Sequence, residues 1–350
     1  MSSYYSPKEF VGFVGIDAST VGAKATTQYA VESDSLPTIT YNDLKQTEQR
    51  ANSLGRVLQA GDLQSHEPGA VHEVSMSGIL DDQIFPLLMQ NALGTTFSSN
   101  IAELSYNHNP DSFLHGATAG ADKTLTYGIK GSETIGSNDV WLAGCVTDSL
   151  TISANANENG GRFTFDASAK SRVTATATPA DTGTVTDYPS TEAGYLYLSD
   201  CTQQAVLGGQ SVIIDSFSMT IENPVSFQGN KLVSTDKGLP EAYVRSVPAI
   251  NITGSCTIKY DATSDGFLNN AKELTALPSD DSASSFLYIG SESGVTGHAG
   301  FTDSTGLGFL IPNGVFTEVT RDESDYMRLN CSWKAVGLNA DAKLIEVLHG

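Results

Sequence analysis

The stretch Ile250-Asn-Ile-Thr-Gly-Ser-Cys-Thr-Ile-Lys-Tyr260 decides the fold class. In an extended chain successive side chains point to opposite sides. Ile250, Ile252, Cys256, Ile258 and Tyr260 therefore share one face, and Asn251, Thr253, Ser255, Thr257 and Lys259 share the other. Met327, Leu329, Cys331 and Trp333 alternate in the same way with Arg328, Asn330, Ser332 and Lys334. The pattern predicts further strands at Val71 to Leu80, Thr124 to Lys130, Val146 to Ser153, Arg162 to Ala167, Val212 to Ile221, Phe286 to Gly290 and Gly314 to Thr320. One apolar face backed by one polar face means antiparallel sheets, because strands of a parallel doubly wound sheet are covered on both sides.

Helical signals are few. Pro86 to Leu93 reads as a short helix with proline in its first turn and a stop at Gly94. Asp265 to Leu274 offers Phe267, Leu268, Ala271 and Leu274 to an apolar face. Each follows a strong strand, and the order of expected elements is the same in both halves. Strand, short helix, strand and then a pair of strands run from Val71 to Ala167 and again from Ile250 to Trp333. Between the halves, Val173 to Ala193 is rich in Thr and carries Pro179 and Pro189, as a linker or surface loop does. The expected organisation is a first β-sandwich unit over residues 1–175, a Thr/Pro-rich connection over 176–194 and a second unit over 195–350.

The 350 residues are 39% hydrophobic, enough for packed cores. With 40 acidic against 19 basic residues the formal charge is -21, which disfavours tight binding to nucleic acid phosphates. No apolar run approaches the roughly 18–20 residues of a bilayer span, and Met1 to Phe10 lacks the basic and apolar regions of a signal peptide. Cys145, Cys201, Cys256 and Cys331 are too scattered for a disulfide framework or a metal knuckle, and read as reduced, mostly buried thiols.

Catalytic patterns fail one by one. Gly290 to Gly294 places Glu292 where a nucleophilic serine would stand in a hydrolase elbow. His66 and His72, with Glu67 and Glu73 beside them, match neither a helical pair nor alternate positions of one strand, so a solvated edge explains them better than a metal. Asp261 to Gly266 lacks the ligands of a calcium loop and fits a plain turn. Only Asn42 to Ala70 departs from the strand pattern at length. It is polar, carries Lys45, Glu48, Arg50 and Arg56, and has the character of a loop ordered by a partner.

The run from Gly144 to Lys170, with its hairpin Val146 to Ser153 and Arg162 to Ala167, resembles the central hairpin of phage tail tube proteins, the major tail proteins of long-tailed bacteriophages. Asp215-Ser-Phe-Ser-Met-Thr-Ile-Glu-Asn-Pro224-Val and the run from Pro248 to Asp261 resemble the same family, as does Gly78 to Gly94. The resemblance implies an all-β subunit with short helices, a duplicated antiparallel β-sandwich whose sheets join those of neighbours into an inner β-barrel. It implies rings of this chain, a trimer of two-unit chains or a hexamer, stacked into an acidic-lined conduit for the genome. The inter-ring loop falls on Asp43, Lys45, Glu48, Arg50 and Arg56. Further implied partners are the tail terminator, tape measure and distal tail proteins, with viral DNA passing through unbound. No cofactor, catalysis or membrane anchor is expected, and the implied location is the virion tail after assembly in the host cytoplasm. Two alternatives stand beside it: a virion decoration or receptor-binding β-sandwich, and a carbohydrate-active enzyme on a β scaffold.

Overall fold

The computed structural model describes residues 7–17, 24–42, 46–49, 63–66, 71–94, 101–105, 124–131, 139–172, 184–201, 205–228, 242–245, 250–262, 264–277, 285–290, 307–323, 326–337 and 343–349. Its centre is one antiparallel sheet built from eight strands: β1 (Thr38–Thr40), β2 (His72–Ile79), β3 (Val140–Asn155), β4 (Thr164–Ser171), β5 (Ile214–Glu222), β6 (Asn251–Lys259), β7 (Gly314–Asp322) and β8 (Arg328–Ala335). Across the sheet the order is β1-β2-β4-β3-β5-β6-β8-β7. The first four strands and the last four thus follow the same path. Each set also carries a bulge at its β4–β3 or β8–β7 pairing, where one extra residue, Asp148 or Thr317, sits opposite the step from a serine to the next residue.

Alternation does what the sequence predicts in this sheet. Val74 and Met76 of β2, Leu150 and Ile152 of β3, Phe217, Met219 and Ile221 of β5, and Leu329, Cys331 and Trp333 of β8 are buried on one face. A six-stranded layer covers them, with Leu287–Gly290, Leu307–Ile311, Lys343–His349 and Ile101–Ser105 running side by side in that order. Aromatic rings lock the two layers. Phe309 of the second layer packs against Phe217, Phe163 and Phe85, while Phe286 meets Phe316 and Trp333. The fold is therefore a β-sandwich with few short helices, and its sheets are not closed into a barrel. The buried cluster runs without a break from Val14 to Val347, and Lys343–His349 lies between strands of both chain halves.

The longest strand, β3, serves two sheets. Its first residues pair with Leu125–Gly131, which continues through Phe10–Ile16 and Thr27–Ala30, and its later ones pair with β4 and β5. The change occurs at Gly144, whose φ of 69° suits glycine. Asp17 holds the bend, accepting from the Gly144 N–H at 2.8 Å and from the hydroxyls of Thr124 and Thr126 at 2.5 and 2.6 Å. Buried Asn91 secures the next step from helix α1 (Phe85–Leu93), donating to the Cys145 carbonyl and accepting from Thr147 N–H.

The helices fall where proline, glycine and apolar spacing place them, with one difference. Helix α2 (Phe267–Glu273) buries Phe267, but Leu274 ends it in a left-handed conformation and is 62% exposed rather than packed. Within 176–194, Thr184–Thr186 forms a parallel edge strand against Thr27–Tyr29. All four cysteines are free and buried, and burial pushes the thiols of Cys201, Cys256 and Cys331 up to about 12.

Asp81 precedes α1 and accepts from the N–H groups of Gln83 and Ile84 at 2.9 and 2.8 Å. Burial nevertheless raises its pKa to about 6, with Asp82 and Glu32 adding to the rise. The unfolded chain ionises this group near pH 4, so the folded state keeps a proton the unfolded state loses, and stability falls as pH rises from about 4 to 6. Asp81→Asn keeps the acceptor oxygen and removes the buried charge. Denaturant unfolding should show it more stable than the parent by roughly 2–3 kcal/mol at pH 7.5 and equal to it at pH 4.

Candidate assembly surface

The face of the eight-stranded sheet turned away from the core has a uniform chemistry. Paired rungs run across it: Ser75 beside Ser168, Ser153 beside Ser218 and Thr164, Thr220 beside Thr253, Ser255 beside Ser332. Hydroxyls bond across strands, Thr151 to Thr220 at 2.9 Å and Ser153 to Thr164 at 3.0 Å, and the Thr257 hydroxyl donates to Asn330 at 2.9 Å. Such pairs satisfy each other in place of water and leave a flat polar surface.

Charge on this face leans acidic. Glu73, Asp148, Asp166, Asp215, Glu222, Glu318 and Asp322 stand among Lys170, Lys259, Arg328 and Lys334, seven carboxylates against four cations. Several cations are neutralised locally: Lys170 bridges Asp148 at 3.0 Å and Arg328 bridges Asp215 at 2.7 Å. These pairs are partly exposed, so each contributes little to stability. Their effect is to remove fixed positive charge from the surface.

The sheet ends in two edges. Among the described residues no strand pairs with the outer side of β1 or of β7, and only Gly314 at the start of β7 is bridged there, to Leu277. Unsatisfied main-chain groups at a sheet edge are a template for another strand. Beyond β1, the segment expected to be a long polar loop contains a separate two-stranded ribbon, Gln46–Gln49 against Leu63–His66, with Glu48 opposite Gln64. Asp43, Lys45, Arg50 and Arg56 lie outside the described residues. The ribbon leaves and returns at one place, since the Asn42 side chain donates to the Val71 carbonyl.

Of the residues weighed as chemical groups, Glu67, the His66 side chain and Glu292 lie outside the described residues, and the others are structural. His72 is buried, accepts from Asn42 N–H at 3.2 Å and meets the Tyr41 ring edge-on, and burial lowers its pKa. Among the described residues no three His, Cys, Asp or Glu side chains converge as metal ligands. Asp261 and Ser264 exchange hydrogen bonds in a turn before α2, as a plain turn reading requires.

A model of the phage tail tube protein family matches residues 17–335, nearly the whole chain. The chain belongs to the phage tail tube family. Among curated protein sequences none matches it. A tail tube protein is a structural component of the virion tail that assembles with itself into a tube, and the decoration-protein and carbohydrate-enzyme alternatives are not favoured. No helix of this tail tube protein, among the described residues, is long and apolar enough to cross a membrane.

The Thr151–Thr220 bond joins the two four-strand sets, and removing one hydroxyl leaves its partner under-satisfied. Thr151→Val should cost about 1 kcal/mol in denaturant unfolding, and the double variant Thr151→Val/Thr220→Val should cost less than the two single changes together.

Proposed function

We propose that three copies of this tail tube protein close sideways into a ring by pairing β7 of one copy with β1 of the next. The observation that carries this reading is the eight-stranded sheet whose order repeats after four strands and ends in two open edges. All pairings along it are antiparallel and the strand number is even, so β1 and β7 run in opposite directions and meet antiparallel between copies. The repeated order and the matching bulges support two fused units, residues 1–175 and 195–350 joined by 176–194, each supplying four strands. Three copies then give twenty-four strands, and spacing and tilt set a backbone diameter of roughly 45–50 Å, wide enough for one DNA duplex. Six copies would make a bore about twice as wide.

The hydroxyl face lines the bore in this arrangement. A lining with more carboxylates than cations, two of the cations already paired, releases few counterions from DNA, so the duplex meets no deep binding well and passes without specific contact. The excess of carboxylates over cations on this face supports the acidic lining that the resemblance implied. The segment that contains the ribbon Gln46–Gln49 and Leu63–His66, and in sequence Asp43, Lys45, Glu48, Arg50 and Arg56, reaches the adjacent ring. The tube ends on tail terminator and distal tail proteins, surrounds the tape measure protein and is assembled in the host cytoplasm. Its role is mechanical, with no catalytic step.

Electron microscopy of the purified protein tests the reading: stacked rings of three chains with an open bore are expected. A solid centre, or a stable monomer at high concentration, would overturn it. Deleting residues 43–70 and joining Asn42 to Val71 through two glycines should leave rings and the unfolding transition intact but abolish stacking. Full-length tubes from that variant would remove the inter-ring role of the ribbon.

A further inference from the structure

The seam inside the chain is a pattern for the seam between copies. This inference rests on the ring reading above and adds to it a residue-by-residue register. The two four-strand sets align without choice, because the bulges fix their phase. Asp148 is the extra residue beside the Ser168 to Ala169 step, and Thr317 is the extra residue beside the Ser332 to Trp333 step. Ser168 of β4 therefore corresponds to Ser332 of β8, and Lys170 to Lys334. One strand further, the partner of Ser168 is Ser75 and the partner of Ser332 is Ser255, the same residue type again. Following the rungs outward, Thr40 of β1 lies opposite Glu73 as Thr220 of β5 lies opposite Thr253, so Thr40 and Thr220 correspond. On the other side Thr151 pairs with Asp166 as Thr320 pairs with Asn330, so Thr151 and Thr320 correspond.

Thr151 and Thr220 are the pair that bonds across the internal seam. We infer that Thr320 of one copy lies opposite Thr40 of the next, the two hydroxyls repeating that bond. Threonine stands at all four places. In the same register Asp322 faces Thr38, and on the core side Val319 meets Tyr41 where Leu150 meets Ile221 internally. Tyr41 is 43% exposed in the single chain, so this contact covers an apolar ring that is otherwise wet. Arg321 comes opposite Ile39 with its guanidinium held over the Tyr260 ring at 4.8 Å, which turns the charge outward and leaves the aliphatic stem to the seam.

Cysteine pairs in the full-length chain read the register directly. Opposed residues of antiparallel strands have Cα atoms about 4.5–5.5 Å apart, within disulfide reach. The four native cysteines are buried and do not compete. After assembly and mild oxidation, Thr40→Cys/Thr320→Cys should run on a non-reducing gel mostly as covalently closed rings, and each single variant as monomer. The off-register pair Thr38→Cys/Thr320→Cys should link at least tenfold less. Preferential linking of that off-register pair would overturn the register, and rings that link through neither pair would overturn the edges as the contact. Failure of the unaltered chain to form rings would instead sink the ring reading itself. Hydrogen exchange on unaltered rings gives a second readout: the Thr38–Thr40 and Thr320–Asp322 amides should slow at least tenfold on assembly, and unchanged rates there would overturn the inference.

Discussion

The main-chain ladder between β3 and β5 is the interaction on which the rest of the structure depends. It runs from Ser149 opposite Glu222 to Asn155 opposite Ser216, and it turns two sets of four strands into one sheet. Because the pairing is in phase, Leu150, Ile152 and Ala154 fall beside Ile221, Met219 and Phe217 on the same buried side. A slip of one residue would turn a whole strand's apolar set into water. The continuous core, the shared second layer and the uniform outer face all follow from that registration. The bend at Gly144, held by Asp17, then lets β3 leave this sheet for its neighbour.

The two faces of the sheet have opposite tasks and opposite chemistries. The covered face is aromatic and aliphatic, and its stability comes from area removed from water. The open face offers short hydroxyl side chains that bond to one another across strands. That surface is polar enough to stay wet, and its cations are outnumbered by carboxylates and partly paired, so it offers a polyanion little to hold.

How much of this was legible in the sequence depended on how each strand is buried. Strands with one wet face, such as β6 and β8, announced themselves by alternation, and their ends were read to within a few residues. Phe10–Ile16 and Lys343–His349 escaped because both of their faces are largely covered, which erases the period of two. The same cause hid the first part of β3, where Leu142 to Val146 is buried without alternation. The ribbon at Gln46–Gln49 has no apolar stripe at all and could be seen only as a polar interval. Family membership was legible through strand patterns around Gly144 to Lys170 and Pro248 to Asp261. The open edges were not, since which strand ends a sheet is set by pairings far apart in the chain.

The four sulfhydryls illustrate what such packing means for a particle that works outside a cell. Cys256 and Cys331 are neighbours across β6 and β8, yet both stay reduced beneath the sheet, where the thiolate needed for attack hardly forms. Extracellular surroundings are oxidising, and a reactive group on a polymer with many identical copies would weld or scar the filament over time. Sealing every thiol keeps the assembled fibre from cross-linking through its cysteines, so its durability is as much chemical as mechanical.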